Sequence, residues 1–571
     1  MKGTTWLLAF LCIVLLVPAT QAQFAGGTGS EEDPYQIGTI EQLQSIRDQR
    51  GESGYTAFRV VAMVVSQYET ILAFTEGRQT SWRDDGAMDD IVLKRSIDGG
   101  KTWGPLIVVA EDGQNSCKDP VPVVLPSGRI ILIYQLAPYT RHQTERVNRK
   151  VHMVYSDDDG LTWSKSHDIT GMIYPDNHPW SGTGPGHGIV KELEPHKGRI
   201  IIPARIRPSS HVIYSDDDGQ TWHRGSSVPM ERTNEATAVE LSNGDIMLNS
   251  RIRDENNPDV SPYRVVSISS DGGETWDEIY VDKTLVEPEG CQASLLRHSM
   301  NEETGKYNIL FTNPHSSRFR VRVHGSIKLS SDDGRTWAKM YKYSDPYPRY
   351  SGYSDIQVIN EGGVIGILWE SGAHFENELR WDGIAFKTLK FSDINNPIDA
   401  EHKHNYHGVE TPYSESTPNP HPTKDYVWVF DARPKHYIQV ADIDASETEN
   451  WNDGEGFEPI GDFDNTFTGW YNGNGYKIKN LNINRPGEDG IGLFGWAGGG
   501  EITNVILENV NITGGDMTGG LVGRLTRGEI NNSQVTGAVS GRDQVGGLVG
   551  LPRRQSPIIN SQDSARVSRG D

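Results

Sequence analysis

A few short segments of this chain carry residue types suited to chemistry and do not read as structural filler. They include Phe58-Arg59-Val60, Leu248-Asn-Ser-Arg251, and a run holding Arg318, Arg320 and Arg322. Guanidinium is planar, permanently charged and bidentate, so arginines drawn from separate segments suit a carboxylate ligand. Around them lie Leu72-Ala-Phe-Thr-Glu-Gly-Arg78, a following loop with Asp84 and Asp85, Glu235 in Thr233-Asn-Glu, Tyr353 in Gly352-Tyr-Ser-Asp355, and Glu370 in Leu368-Trp-Glu. Taken singly, each has a plain structural reading. A lone arginine makes a surface ion pair of little value, and a lone tyrosine in such a run is a half-buried strand residue. The global charge sharpens the point. The net charge of −23 and pI near 5.2 argue against nucleic acid and anionic membrane surfaces as partners. An acidic protein that binds an anion needs a local arginine cluster, which dominates because the wider field is screened beyond about 8 Å.

The elements that must position these residues announce themselves through a repeat. Ser-x-Asp-x-Gly-x-Thr-Trp occurs five times, starting at Ser96, Ser156, Ser215, Ser269 and Ser330. The starts lie about 55–60 residues apart, a period that marks a propeller or array. Asp caps backbone N–H groups and Gly takes φ > 0 without strain, so each copy reads as a hairpin turn whose Thr-Trp opens a strand and packs its indole beneath. Several such units packed radially bury apolar faces that one alone cannot. SDDDG looks like a calcium loop, but the spacing lacks the helix-loop signature and its distant Glu. The boxes are expected to be turn staples far from the chemistry.

Met1 to Ala22 reads as a secretory signal: Lys2, an apolar run from Trp6 to Val17, then a small-residue cleavage zone. The run is too short and wrongly flanked for a transmembrane helix, so no membrane span is expected. Cys12 lies within it and lacks the small residues that lipid attachment would need. Cys117 and Cys291 remain, too few for a disulfide framework, so a large core must supply stability. Short apolar runs such as Arg199-Ile-Ile-Ile-Pro203 and Val364-Ile-Gly-Ile-Leu-Trp369 predict strands. The division expected is a lead-in over 23–52, a propeller over 53–395, a linker over 396–430 and a second domain over 431–571.

That second domain has its own period. GLFG at Gly492 and GLVG at Gly520 and Gly547 recur about every 28 residues, with β-branched strands and Asn or Gly corners between them. This predicts a parallel β-solenoid and resembles the GLUG-type repeats of bacterial secreted and surface proteins. The final rung lacks an obvious cap, which implies either a truncated product or a partner at the open edge. Gly29 to Asp48 looks like the usual lead-in to such a solenoid, and His436 to Ser446 like its continuation. The propeller is therefore expected to be inserted into the first solenoid turn, as loop-tip insertions with adjacent ends permit.

The ordered set of propeller segments, with the Asp boxes, GPGHGI at Gly184 and GCQAS at Gly290, resembles the bacterial-type exo-α-sialidases. The resemblance covers about Arg59 to Glu370 and implies an all-β, six-bladed propeller. It also implies that Arg59, Arg251 and Arg322 clamp the carboxylate of sialic acid, with Arg320 the alternative to Arg322, and that Glu370 braces Arg59. Tyr353 would be the nucleophile and Glu235 its base. A neutral phenol avoids the repulsion a carboxylate would meet at a carbon that already bears one. The acid/base is an Asp in the loop after Arg78: counting forward to Gly86 selects Asp84, and counting back from Asp90 selects Asp85. Where the family has Arg-Ile-Pro, this chain has Arg59-Val-Val, a change at a strand edge and not at a ligand contact. Trp82, Met88 and His187 read as scaffold near the rim.

The resemblance implies a secreted, periplasmic or cell-surface enzyme. It would hydrolyse terminal α-linked sialic acid from sialylated glycans with retention, through a tyrosyl–glycosyl intermediate, without cofactor or metal. The solenoid would serve as spacer, surface attachment or carbohydrate contact. Two rivals share the residues: an intramolecular trans-sialidase, which differs in how its pocket excludes water, and a non-catalytic sialic-acid-binding propeller, which has no need of Tyr353 and Glu235.

Overall fold

A computed structural model describes residues 24–46, 55–79, 88–138, 149–174, 181–254, 257–288, 290–316, 321–344, 350–375, 378–394, 426–431, 435–463, 466–526, 528–553 and 556–569. The chain divides into two compact units, Gly51–Arg433 and a discontinuous one made of Met1–Arg50 with Pro434–Asp571.

The larger unit is a six-bladed β-propeller of antiparallel sheets, five with four strands and the third with an extra short strand. The blades, I to VI in chain order, begin with Ala57–Val65, Ser116–Val124, Ser181–Thr183, Thr233–Glu240, Ser294–Asn301 and Tyr350–Val358. Successive apolar residues face opposite sides of each sheet, and both sides meet a neighbouring blade. Hence runs such as Ile200-Ile201-Ile202 and Leu72-Ala73-Phe74 are buried throughout. Blade VI differs from the expected boundary. Its outermost strand is Val427–Asp431, paired with Glu378–Leu389, so the propeller continues past residue 395 into the stretch that reads as linker. Its sequence hides this because the polar residues from 395 to 425 separate it from its partner and no Asp box precedes it.

All five Asp boxes form the turn after the third strand of blades I to V. In the first, Asp98 accepts from Ser96 Oγ at 2.8 Å, from Thr102 N at 3.0 Å and from Thr102 Oγ1 at 2.6 Å, while Gly100 N donates to Ser96 Oγ at 2.9 Å. These bonds pull the Asp98 carboxyl down to about 2, led by the Thr102 hydroxyl. Both carboxylate oxygens are occupied within the turn, which accounts for the residue without a cation. Trp222 and Trp337 pack inward as expected, and Trp276 is half-buried against the cluster of Ile201, Val212 and Ile246 while donating to the carbonyl of Ser226 at 2.8 Å. Strands alternate in direction. The starts of first strands and the ends of second strands therefore share one end of the ring, and the Asp boxes lie at the other.

The smaller unit is a parallel β-solenoid. One ladder stacks His436–Gln439, Trp470–Asn472, Glu501–Thr503, Glu529–Asn531 and Ile558–Ile559 in register. Asn474, Asn504 and Asn532 turn the corners at φ of 52°, 54° and 48°, a conformation that Asn tolerates better than other side chains. Adjacent rungs are tied by Asn532 Nδ2 donating to Asn504 Oδ1 at 2.7 Å and Asn504 Nδ2 to Asn472 Oδ1 at 3.0 Å. The N-terminal segment completes this unit: Tyr35–Ile37 pairs in parallel with Tyr437–Gln439, so the propeller lies in sequence between two pieces of the solenoid. A short helix, Ile40–Ser45, follows, with Thr39 Oγ1 accepting from Gln42 N. Ile37, Leu43 and Ile46 are buried in the same core as Ile443, Phe457 and Ile478. Among the described residues no helix is long and apolar enough to cross a membrane.

Leu43 is wholly buried, so Leu43→Ala removes atoms from the solenoid core itself. We expect it to destabilise that unit by about 2–5 kcal/mol in denaturant unfolding of the full chain, with the propeller transition unmoved. An unchanged solenoid transition would mean that the N-terminal segment is not part of its core.

Candidate active site

The end of the propeller opposite the Asp boxes gathers the charged residues, and β-bulges aim them. In blade IV the register shifts between Thr233 and Ala236, so Asn234 and Glu235 together oppose Arg251. In blade VI the shift between Ser351 and Ser354 sets Gly352 and Tyr353 against Glu370. Blade I shifts just after Arg59, where Val60 takes φ 63°, and blade II just after Lys118, where Asp119 takes φ 52°. A bulge re-aims one side chain out of the alternation that packs its neighbours. Here the same device on four inner strands brings polar residues into the mouth of the ring.

Glu370 organises one side of the cluster. It is fully buried, and its Oε1 accepts from Arg59 Nε at 2.9 Å and from the Val60 N–H at 2.8 Å. Its Oε2 accepts from the Tyr353 N–H at 3.1 Å and from the Tyr350 hydroxyl at 3.2 Å. Burial alone would raise its pKa, but Arg59 and Arg322 outweigh that and hold the carboxyl below its usual range. Gly352 is required here, because a Cβ at that position would lie 2.0 Å from Glu370 Oε2.

The backbone carbonyl of Gly290 organises the other side. It accepts from Arg251 Nη1 and from Arg322 Nη2, each at 2.7 Å, and so spaces two guanidiniums around one oxygen. Gly290 has φ 78°, and its N–H, with that of Cys291, donates to the buried carboxylate of Glu287. Arg322 also donates to the Tyr350 hydroxyl at 3.2 Å and lies 5.0 Å from the centre of the Tyr353 ring.

Arg251 joins the two groups expected to react. Its Nη1 donates to the Tyr353 hydroxyl at 2.8 Å and pairs with Glu235 Oε2 at 2.6 Å. Carboxylate and phenol oxygen are therefore both neighbours of one guanidinium nitrogen. Burial pushes the Tyr353 phenol well above its ordinary pKa, with Glu235 adding to that and Arg251 and Arg322 opposing it, so the resting group is neutral.

Six of the residues singled out in the sequence thus meet in one network: Arg59, Glu235, Arg251, Arg322, Tyr353 and Glu370. Asp84, Asp85 and Arg320 lie outside the described residues. His187 is buried, its Nδ1 2.7 Å from Asp355 Oδ1, a place in the scaffold. The sequence reading singled out the segment of Glu76 and Arg78 without giving either a role, and missed Asp119 and Arg205, which complete a second charged layer with them. Arg78 pairs with Glu76 at 2.7 Å, Glu76 accepts from the Asp119 N–H at 3.0 Å, and Asp119 pairs with Arg205 at 2.6 Å. Arg205 is near enough to feel the charges of Glu235, Arg251 and Tyr353. The available signal was positional: Lys118-Asp119 occupies in blade II the place of Arg59-Val60 in blade I. Tyr350 and the Gly290 carbonyl were missed because one acts from a strand that also reads as core and the other through its backbone.

This geometry belongs to a known class. Residues 69–367 match the BNR repeat-like domain. The chain is 35% identical over 356 residues to a sialidase of Clostridium perfringens, covering 56% of this chain and 87% of that one. It is 31% identical over 350 residues to a sialidase of Micromonospora viridifaciens, covering 56% of this chain but only 51% of that longer relative. Among solved structures it resembles the Hadza microbial sialidase Hz136, with TM-score 0.52, 28% identity, and coverage of 60% of this chain and 67% of that one. The protein belongs to the sialidase family of BNR-repeat propellers.

Gly352→Ala tests the packing around Glu370. The methyl group cannot be accommodated beside the carboxylate without a shift, and we expect a loss of about 1–3 kcal/mol of propeller stability in denaturant unfolding. A stability equal to wild type would show that Glu370 is not fixed as described.

Proposed function

We propose that this protein is an exported exo-α-sialidase that hydrolyses terminal α-linked sialic acid from glycoconjugates with retention of configuration. The observation that carries the reading is the shared contact of Tyr353 and Glu235 with Arg251, inside a cluster of three arginines drawn from blades I, IV and V. Family membership supports the same activity.

The sugar carboxylate binds Arg59, Arg251 and Arg322 through charge-assisted bonds. In doing so it engages the Arg251 guanidinium that otherwise occupies Glu235, which frees that carboxylate to take the phenolic proton. Tyr353 Oη then forms a bond to the anomeric carbon as the bond to the aglycone oxygen breaks, and Asp84 or Asp85 protonates the departing oxygen. A neutral phenol, kept so by burial, approaches the anomeric carbon without the repulsion a carboxylate would meet. In the second half, water gives a proton to the same Asp and attacks the anomeric carbon, and Glu235 returns its proton to Tyr353. Two displacements restore the original configuration. The segment Met1–Ala22 serves as the export signal. The solenoid acts as a spacer or as a contact to cell surface or glycan.

The test is release of fluorophore from an aryl α-sialoside by the mature chain, with NMR identification of the first sugar formed. We expect α-sialic acid first, and Tyr353→Phe to lower kcat by at least about 100-fold while leaving the unsaturated sialic acid analogue bound. Binding without turnover in the wild type would favour a lectin, and release of an anhydro sugar an intramolecular trans-sialidase.

A further inference from the structure

One guanidinium at the site remains without a role. Arg253 follows Arg251 by two residues, just past the end of the second strand of blade IV, Ile246–Ile252. It is exposed, whereas Arg251 is buried. Its N–H donates to the Arg232 carbonyl at 3.3 Å, which fixes the backbone. The side chain lies against Gly290: a Cβ built there would be 2.7 Å from Nε and 3.2 Å from Cζ. Gly290 thus has two arginines on its carbonyl and a third against its α-carbon. Among the described residues Arg253 has no ion-pair partner, and the adjacent Asp254 is taken by Arg232 at 2.8 Å.

This placement is electrostatically costly. The like charge of Arg251, followed by partial desolvation of the guanidinium against Gly290, lowers the proton affinity of Arg253, with Tyr353 and Glu235 opposing. Arg253 adds a positive charge beside Arg251 and Arg322, and the nearby Glu235 is already paired with Arg251, so Arg253 itself is left open to an external anion. The terminal sugar acid carries one carboxylate, and the arginines that would hold it already surround it. In an exo-acting pocket the part of the substrate that reaches solvent is the aglycone, and Arg253 is the solvent-facing member of the group.

Resting on the sialidase reading above, we infer that Arg253 forms a second anion subsite that takes a carboxylate or sulfate on the sugar next to the scissile bond. The preferred substrates are glycans with a second negative charge at that position. Two sources share this chemistry: an internal sialic acid and a sulfated neutral sugar.

The experiment compares the full mature chain with Arg253→Ala and Arg253→Glu on sialyllactose, on its disialyl counterpart and on a sulfated sialyllactose. Where a glycan is bound but not turned over, its inhibition constant against the aryl sialoside replaces kcat/KM. Arg253→Ala should lower the preference for a charged glycan over sialyllactose by about three- to tenfold, mainly through KM, and Arg253→Glu by more. Loss confined to the disialyl or to the sulfated glycan identifies which anion the subsite takes. Equal effects on all three glycans, or no effect with turnover intact, would overturn the inference alone. Failure of the wild-type chain to release sialic acid from any of them would overturn the sialidase reading, and this inference with it.

Discussion

The buried carboxylate of Glu370 is the constraint on which the site depends. Taking a carboxylate out of water costs several kcal/mol unless charge and hydrogen bonds replace what water supplied. Arg59 and the Val60 N–H, from the first blade, and Tyr350 and the Tyr353 N–H, from the last, provide that replacement. Glu370 belongs to the last blade, so the two contacts from Arg59 and Val60 join the two blades that must meet for a six-bladed ring to close. One group therefore serves closure of the fold, aim of the first arginine and placement of the tyrosine backbone. The three follow from each other, since the donors reach Glu370 only because bulges in blades I and VI turn them inward.

On the far side the Gly290 carbonyl does for Arg251 and Arg322 what Glu370 does for Arg59, with a dipole in place of a charge. The difference suits an anion site. Beyond Glu235, which already pairs with Arg251, a further buried carboxylate between those arginines would satisfy them and compete with the ligand. A carbonyl fixes their positions and leaves their net charge in place. Glu287 sits one layer back, paired with Arg264 at 3.4 Å and bonded to the Gly290 and Cys291 N–H groups, so it shapes the loop without facing the arginines directly.

What was legible in the sequence tracks what repeats and what is carried by side chains of unusual type. The Asp boxes fixed the blade period because each is a local hydrogen-bonded turn that needs no distant partner. The solenoid rungs were readable for the same reason, and even the pairing of Tyr35–Ile37 with Tyr437–Gln439 left a trace in the similarity of the two flanking segments. Arg59, Arg251, Arg322, Glu235, Tyr353 and Glu370 were named because family motifs surround them. The layer of Asp119 and Arg205 was not, since each looks like an ordinary strand residue until a bulge in blade II turns Asp119 against blade III. The outermost strand of blade VI was missed because strand pairing across a long insertion has no local signature.

The most direct test of this account is calorimetric binding of the 2,3-unsaturated sialic acid analogue to Glu370→Gln. The substitution keeps the shape and one acceptor oxygen but removes the charge that aims Arg59. The account predicts a folded propeller that binds the analogue at least about tenfold more weakly than wild type, in line with about 1.4 kcal/mol or more of lost interaction. Affinity within about twofold of wild type, with the propeller intact, would contradict it, because the arginine cluster would then owe nothing to the carboxylate proposed to organise it.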